Sequence, residues 1–283
     1  MPLAPECQAF FMPGPAGQRF CIYHPPRGAL LRARVLYIHP LAEEMNKSRR
    51  MAALQSRALA QAGCAVLQVD LLGCGDSAGD FADARWDAWL SDVVRACVWL
   101  RTQTAGAVAQ APLWLWGLRA GCLLAQQAAL QLDEACHFLF WQPAWSGRAV
   151  LQQFLRLQLA LDMLHGSAKG GVQRLQRQLQ RGQPVEVAGY TLSPALAQDL
   201  EHAVLTAPRA TSQSQRVLWF ELSAVRPPRL SVMPEDLHAQ WHRPGLQLLR
   251  HSVCGPAFWH SSEVEVVPEL LDATTAALCA PSA

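Results

Sequence analysis

Two glycines four residues apart bracket an arginine in Gly117-Leu118-Arg119-Ala120-Gly121. A short apolar run precedes them at 113–116 and an apolar helical pattern follows at 122–132, so the five residues read as a sharp turn from strand into helix. In the pattern G-x-S-x-G such a turn holds a serine in a strained conformation above the end of a sheet, where it attacks acyl carbons. Arginine cannot do this, because its guanidinium stays protonated at any working pH. Its chemistry is the binding of anions: a planar fork of N–H donors that matches a carboxylate or a phosphate. Against the positive end of the helix dipole the side chain costs roughly 0.3–1 kcal/mol unless an anion compensates it. Two sources of that anion stay open, an internal salt bridge from Glu43 or Glu44 and a bound ligand.

A serine at such a turn works with an acid just after a late strand and a histidine before the last helix. Neither place is clean here. After the strand expected at 216–222 come Ser223, Ala224, Val225 and Arg226, so only Glu221 or Asp236 is available as the acid. Before the final helix the chain reads Cys254-Gly255-Pro256-Ala257-Phe258-Trp259-His260, which puts His260 slightly late, as a helix-entry residue or as a base. A relocated nucleophile would have to be Ser48, Ser77, Cys74 or Cys122. Ser48 and Ser77 follow strands, where hydroxyls cap helices and close turns, and Cys122 begins an apolar helix.

The elements that would position these residues alternate along the chain. Strands are expected at 20–23, 33–39, 65–70, 113–116, 137–141, 216–222 and 246–253, and helices at 46–62, 84–102 with Asp83 as cap, 122–132, 235–241 and 262–278. This rhythm is that of a mostly parallel sheet covered by helices on both faces. With the elbow at Arg119 it implies an α/β protein of the α/β-hydrolase fold. Between 146 and 207 the strand rhythm stops and arginine- and glutamine-rich helical patterns replace it at 149–164 and 172–181, broken at 166–171. The expected organisation is therefore a hydrolase-fold core of 1–145 and 208–283 with an inserted helical cap of 146–207.

On that frame the charged loop from Glu43 to Arg50 follows the strand that contributes to the oxyanion hole in working hydrolases. Glu43, Glu44 and Asn46 are the residues expected to face Arg119; a solvated helix start is one reading of Lys47, Arg49 and Arg50 and the favoured one for Arg50. Asp70 and Asp76 flank the next strand end, the edge at which open α/β sheets bind ligands.

Composition narrows the function classes. The 283 residues carry a net charge of only +2, with the basic residues dispersed, which favours neither nucleic acid nor an acidic membrane surface. No segment has the roughly 20 uninterrupted apolar residues of a membrane helix, so the chain is expected not to be membrane-embedded. With no signal-peptide pattern at 1–17, a cytoplasmic location is expected. Nine cysteines without a C-x-x-C pair argue against a disulfide framework, and the His238/His242 pair lacks the acid of a zinc-protease motif. No metal and no cofactor are expected, and the oligomeric state is not specified.

Several stretches resemble the exosortase A system-associated hydrolase 2 family. They are the run from His39 through Glu43, Glu44, Asn46 and Ser48 to Met51, the loop from Asp70 through Asp76 to Phe81, Trp116-Gly117-Leu118-Arg119, Trp141-Gln142-Pro143, Glu186-Val187-Ala188-Gly189-Tyr190, and Gly255-Pro256-Ala257-Phe258-Trp259. Together they span almost the whole chain. The resemblance implies an α/β-hydrolase branch from Gram-negative bacteria that sort PEP-CTERM proteins and make exopolysaccharide, with arginine at the elbow as part of its pattern. It also implies a setting rich in acyl-carrier and acyl-activating proteins, and hence an acyl thioester or free acid as the ligand class. Trp259 joins Arg119, Glu43, Glu44, Asn46, Asp70 and Asp76 among the expected ligand-binding residues. Three functions follow: a non-hydrolytic binder of a small anionic or acyl molecule, an esterase or thioesterase with a relocated nucleophile and His260 as base, and a scaffold for a protein partner of the exosortase system.

Overall fold

The structure, a computed structural model, describes residues 7–104, 111–164, 171–209, 214–233 and 235–280. The chain runs β1 (Gln8–Gly14), β2 (Gly17–His24), β3 (Ala33–Ile38), α1 (Glu43–Gln61), β4 (Cys64–Val69), α2 (Trp86–Thr104), β5 (Leu113–Leu118), α3 (Ala120–Ala129) and β6 (Cys136–Trp141). It continues with α4 (Gly147–Leu164), α5 (Gly171–Gln180), β7 (Val185–Val187), β8 (Tyr190–Leu192), α6 (Pro194–His202), β9 (Gln215–Ser223), α7 (Glu235–Trp241), β10 (Leu246–Cys254) and α8 (Pro268–Cys279).

Eight strands form one sheet in the order β1-β2-β4-β3-β5-β6-β9-β10. β2 is antiparallel to both of its neighbours, and every pair from β4 to β10 is parallel. All six residues of β3 and of β5 are buried, as the continuous apolar runs require when helices cover both faces. Alternation assigns the faces. Trp114, Trp116, Leu139 and Leu218 pack with Met51 and Leu59 of α1 and Leu270 and Leu278 of α8. On the other face Leu113, Leu115, Phe138 and Phe140 pack with Val93 of α2, Leu123 of α3 and the buried residues of α4 and α6.

Parallel strands bring their C-terminal ends to one edge. The loops after Ile38, Val69, Leu118, Trp141, Ser223 and Cys254 therefore all meet there. From this edge the chain leaves β6 for the segment that carries α4 to α6. Its two ends are pinned together by a bridge between Ser146 and Val204, and by backbone bonds from Gly147 N–H to Ala203 O (2.8 Å) and from Leu205 N–H to Trp145 O (2.9 Å). Among the described residues no helix is long and apolar enough to cross a membrane.

The structure corrects several expected elements. The inserted segment is not purely helical: β7 and β8 form an antiparallel hairpin, too short to register as alternation in the sequence. β1 was not anticipated because it is an exposed edge strand containing Pro13, a residue that strands tolerate at edges. Asp83 does not cap α2; it closes a 3-10 turn at Phe81–Asp83 by accepting from Asp80 N–H at 2.9 Å. The last helix begins at Pro268 and not at 262, since proline lacks the N–H a helix interior needs and is at home in the first turn. The expected break at 166–171 falls mostly outside the described residues.

Candidate functional site: the arginine elbow and its cleft

The turn between β5 and α3 is tight enough to demand both glycines. A Cβ on Gly121 would lie 2.3 Å from Ile38 O, and one on Gly117 2.6 Å from Cys122 N. Between them Arg119 adopts φ 54°, ψ −116°, the left-handed side of backbone space that a branched or bulky residue enters only under constraint. Ala42 at the start of α1 has nearly the same conformation (φ 49°, ψ −121°), and Gln142 after β6 has φ 41°. Three adjacent strand ends thus carry strained non-glycine residues at the ligand edge.

Arg119 is turned toward that edge. Its Nε donates to Glu44 Oε1 at 3.4 Å, one terminal nitrogen donates to Gln153 Oε1 at 2.8 Å, and its guanidinium carbon lies 5.5 Å from the centre of the Trp259 ring. Among the described residues only Glu44 and Gln153 accept from it, which leaves donors of the five-N–H fork uncommitted. The side chain is 15% exposed and lines a cleft of about 310 Å³ together with Gln153, Trp145, Trp219, Glu221 and Ser231.

Glu44 is an imperfect counterion. Burial drives its carboxyl up to about 7 even though the adjacent Arg119 pulls it down, and its second oxygen is buried without a partner. His260 completes the group. Its Nε2 is 3.3 Å from Glu44 Oε1 and in contact with Gln153 Nε2. The distance is that of an ion pair, yet the imidazole is neutral at pH 7, because burial and the nearby cations Arg119 and Lys47 hold it at about 4. Gln153 bridges the two, with its amide oxygen toward Arg119 and its amide nitrogen toward Nε2 of His260. Lys47 Nζ donates to the His260 carbonyl at 3.2 Å and ties α1 to this loop.

His260 is therefore not a helix-entry residue: it stands in the loop before α8, at the elbow. Of the two acids expected to face Arg119, Glu44 does so. Glu43, one residue away and hence turned by about a quarter of the helix circumference, keeps a buried, unpartnered Oε2 and has its carboxyl raised by burial. Asn46, Asp70 and Asp76 belong to a different corner. Asn46 donates to the Tyr190 hydroxyl at 3.0 Å; Asp70 accepts from both terminal nitrogens of Arg49, at 3.3 and 2.9 Å, and from Asp76 N–H at 3.1 Å. Asn46, Arg49, Asp76 and Tyr190 line a second cavity of about 530 Å³.

Arg49 is thus a partner of Asp70 and not merely part of a solvated helix start. Gln153 and Tyr190 were also missed, since both come from the inserted segment, and a glutamine in a glutamine-rich helix carries no signal of its own. A larger cavity, about 860 Å³, opens at the opposite end of the strands beside Arg34 and Glu134, whose charges close on each other at 2.6 Å. It lies away from the elbow.

Glu221, at the end of β9, accepts from Trp219 Nε1 (2.8 Å), Arg250 (2.6 Å) and Ser231 N–H (2.6 Å). It lines the cleft, but these bonds direct it to Arg250. The side chain of Asp236 lies outside the described residues. Ser48 is fully buried on α1 and donates to Glu44 O at 2.7 Å; Ser77 is buried and donates to Asp70 O at 2.5 Å. Cys74 and Cys122 are buried, and that burial holds both thiols protonated. Among the described residues no group of histidines, cysteines and acids could hold a metal ion.

Neither a family model nor a curated protein matches the chain. Solved structures do. Est1E from Butyrivibrio proteoclasticus, solved with ferulic acid bound, superposes with a TM-score of 0.62 at 15% identity over 96% of each chain. A soluble variant of monoglyceride lipase from Saccharomyces cerevisiae, in complex with a substrate analogue, gives 0.62 at 11% identity over 97% of this chain and 96% of that one. XC6422 from Xanthomonas campestris, described as an α/β serine hydrolase without lid, gives 0.52 at 19% identity over 98% and 94%. At such identities the likeness establishes architecture: the chain has the α/β-hydrolase fold.

Proposed function

We propose that this chain uses the α/β-hydrolase fold to bind a small anionic ligand, a carboxylate or an acyl group, without forming a covalent intermediate on a serine. One observation carries the proposal. The elbow presents a guanidinium to a 310 Å³ cleft, and its one counterion among the described residues, Glu44, is held at a single 3.4 Å contact with a carboxyl pushed up to about 7. Below that pH the arginine has no charged partner among the described residues, and a buried cation recruits an anion. The segment 146–207 acts in this reading as a cap, since Gln153 on α4 reaches Arg119 directly.

The motif resemblance to the exosortase A system-associated hydrolase 2 family supplies the setting: PEP-CTERM and exopolysaccharide systems, with an acyl thioester or free acid as the ligand class. A relocated-nucleophile esterase draws support from one fact, the neutral His260 beside Glu44. Against it stand the buried, internally bonded hydroxyls of Ser48 and Ser77 and the protonated thiols of Cys74 and Cys122.

The two separate in one experiment. A fluorophosphonate probe and a short p-nitrophenyl ester are expected to give neither labelling nor turnover, while a thermal-shift screen of carboxylates, acyl thioesters and phosphates finds a stabilising anion whose effect disappears in Arg119→Ala. Labelling that vanishes in a single serine or cysteine variant would overturn the binding reading.

A further inference from the structure

The cleft holds chemistry that an anion anchor alone does not use. Its volume of about 310 Å³ is at the small end of ligand pockets, which span roughly 300–1,000 Å³, and suits a single ring or a short chain. Two of its walls are indoles. Trp145 is partly buried, and Trp219 packs against it with ring centroids 4.7 Å apart at 38°. Trp219 is fixed on its other sides: Nε1 donates to Glu221, the Trp241 ring meets it at 5.4 Å, and the Arg250 guanidinium carbon lies 5.9 Å from its centre. A rigid aromatic wall rewards a flat aromatic ligand over a saturated one of equal size, because offset and edge-to-face ring contacts add to the apolar burial that both share.

The polar groups are placed unequally. Arg250 neutralises Glu221 at 2.6 Å, so among the described residues lining the cleft Arg119 is the cationic pole. Glu221 accepts two bonds on Oε1 and one on Oε2. A carboxylate offers about four acceptor sites, so the acid has capacity for one more donor, and a second carboxylate, which brings acceptors only, would set its oxygens against those of Glu221.

We infer that the preferred ligands are small planar aromatic carboxylates, with the carboxylate on Arg119, the ring against the cleft-facing side of Trp145, which the buried Trp219 backs, and a ring hydroxyl, where present, donating to Glu221. The inference rests on the reading of Arg119 as an anion anchor given above.

Calorimetric titration of the full chain at pH 6.5 with benzoate, 4-hydroxybenzoate, terephthalate, cyclohexanecarboxylate and octanoate tests both levels. Benzoate is expected to bind roughly twofold to tenfold more tightly than cyclohexanecarboxylate, the range that aromatic pairing provides. In the same titrations 4-hydroxybenzoate should bind more tightly than benzoate, and terephthalate less. Trp145→Leu should erase the aryl preference and Trp145→Phe restore it, with melting curves confirming that both variants fold. If cyclohexanecarboxylate or octanoate binds as well as benzoate while Arg119→Gln still abolishes binding, the aromatic preference is wrong and the anchor stands. If none of the acids binds, or Arg119→Gln leaves binding intact, the anchor itself is wrong and the preference falls with it.

Discussion

Two arginines stand at the same edge of the sheet, each beside an acid, and they differ in how completely that acid satisfies them. Arg49 meets Asp70 as a fork, 3.3 and 2.9 Å from the two carboxylate oxygens, with Asp76 N–H adding a third donor to the acid. Gly75 makes room for it, since a Cβ there would lie 2.0 Å from Asp70 Oδ2 and 2.3 Å from the Arg49 nitrogen. Arg119 meets Glu44 through one nitrogen at 3.4 Å, and the acid is so deeply buried that it holds its proton up to about 7. The better-paired arginine is the more exposed, 39% against 15%. Pairing geometry, and not burial, therefore separates a closed structural ion pair from a cation with donors left uncommitted.

The contrast can be broken from either side. The largest effect is expected for Arg119→Ala, which should weaken binding of the stabilising anion by about thirtyfold or more, in keeping with roughly 2 kcal/mol or more for a desolvated charged contact. Calorimetry measures it, and a loss smaller than threefold would make the two arginines equivalent. Arg49→Ala should do the converse. It removes both side-chain donors from Asp70, a carboxylate that is only 10% exposed, and should cost about 2 kcal/mol in denaturant unfolding while leaving anion affinity unchanged.

The pH dependence should be intermediate in size. Anion affinity should be flat below about pH 7 and fall above it by up to tenfold per pH unit as Glu44 ionises and occupies Arg119. In Glu44→Gln the curve should be flat throughout at the acid-side affinity. Stability carries its own signs. Glu44, raised to about 7 in the fold, stabilises below its ordinary value of 4.5, and that contribution disappears as pH rises to 7. His24, His137 and His260, each held at about 4, act in the opposite sense: their contribution is complete above 6.5 and is lost as pH falls to 4. His39 and His251 are lowered by burial as well, and Glu43 is raised like Glu44; the lowered histidines outnumber the raised acids, so thermal stability should fall from pH 6.5 to 4, and less steeply in His260→Asn. The smallest effect belongs to Tyr190→Phe, which deletes one partly exposed hydrogen bond to Asn46 and should cost no more than about 1 kcal/mol without touching anion binding.

Much of the frame was legible beforehand. Alternating apolar runs and helical patterns report burial on one or two faces, a property each segment carries locally, so the sheet strands from β2 onward and the elbow between Gly117 and Gly121 could be located. Acid and base were harder to read because their roles depend on which strand ends meet. Glu221, on the expected strand, is tied to Arg250, while His260, which the sequence leaves between helix entry and base, reaches the elbow because the loop before Pro268 is longer than expected. Asp70 and Asp76 were grouped with Arg119 on the strength of sharing an edge, yet that edge is wide enough to hold two separate corners.

By itself the amino-acid order determined that a permanent cation occupies the turn where a nucleophile is expected, because side-chain identity and the glycine spacing of a strand-to-helix turn need no tertiary contact to be read. Only the folded chain decided what that cation faces. The choice of Glu44 over Glu43, the bridge through Gln153 to His260, and the closure of Arg49 on Asp70 all arise from residues far apart in sequence, whose encounter is set by how the strands are ordered and how the inserted segment lies over them. Charge is a local property of the chain; whether a charge is satisfied depends on distance and on water, and both are settled by packing.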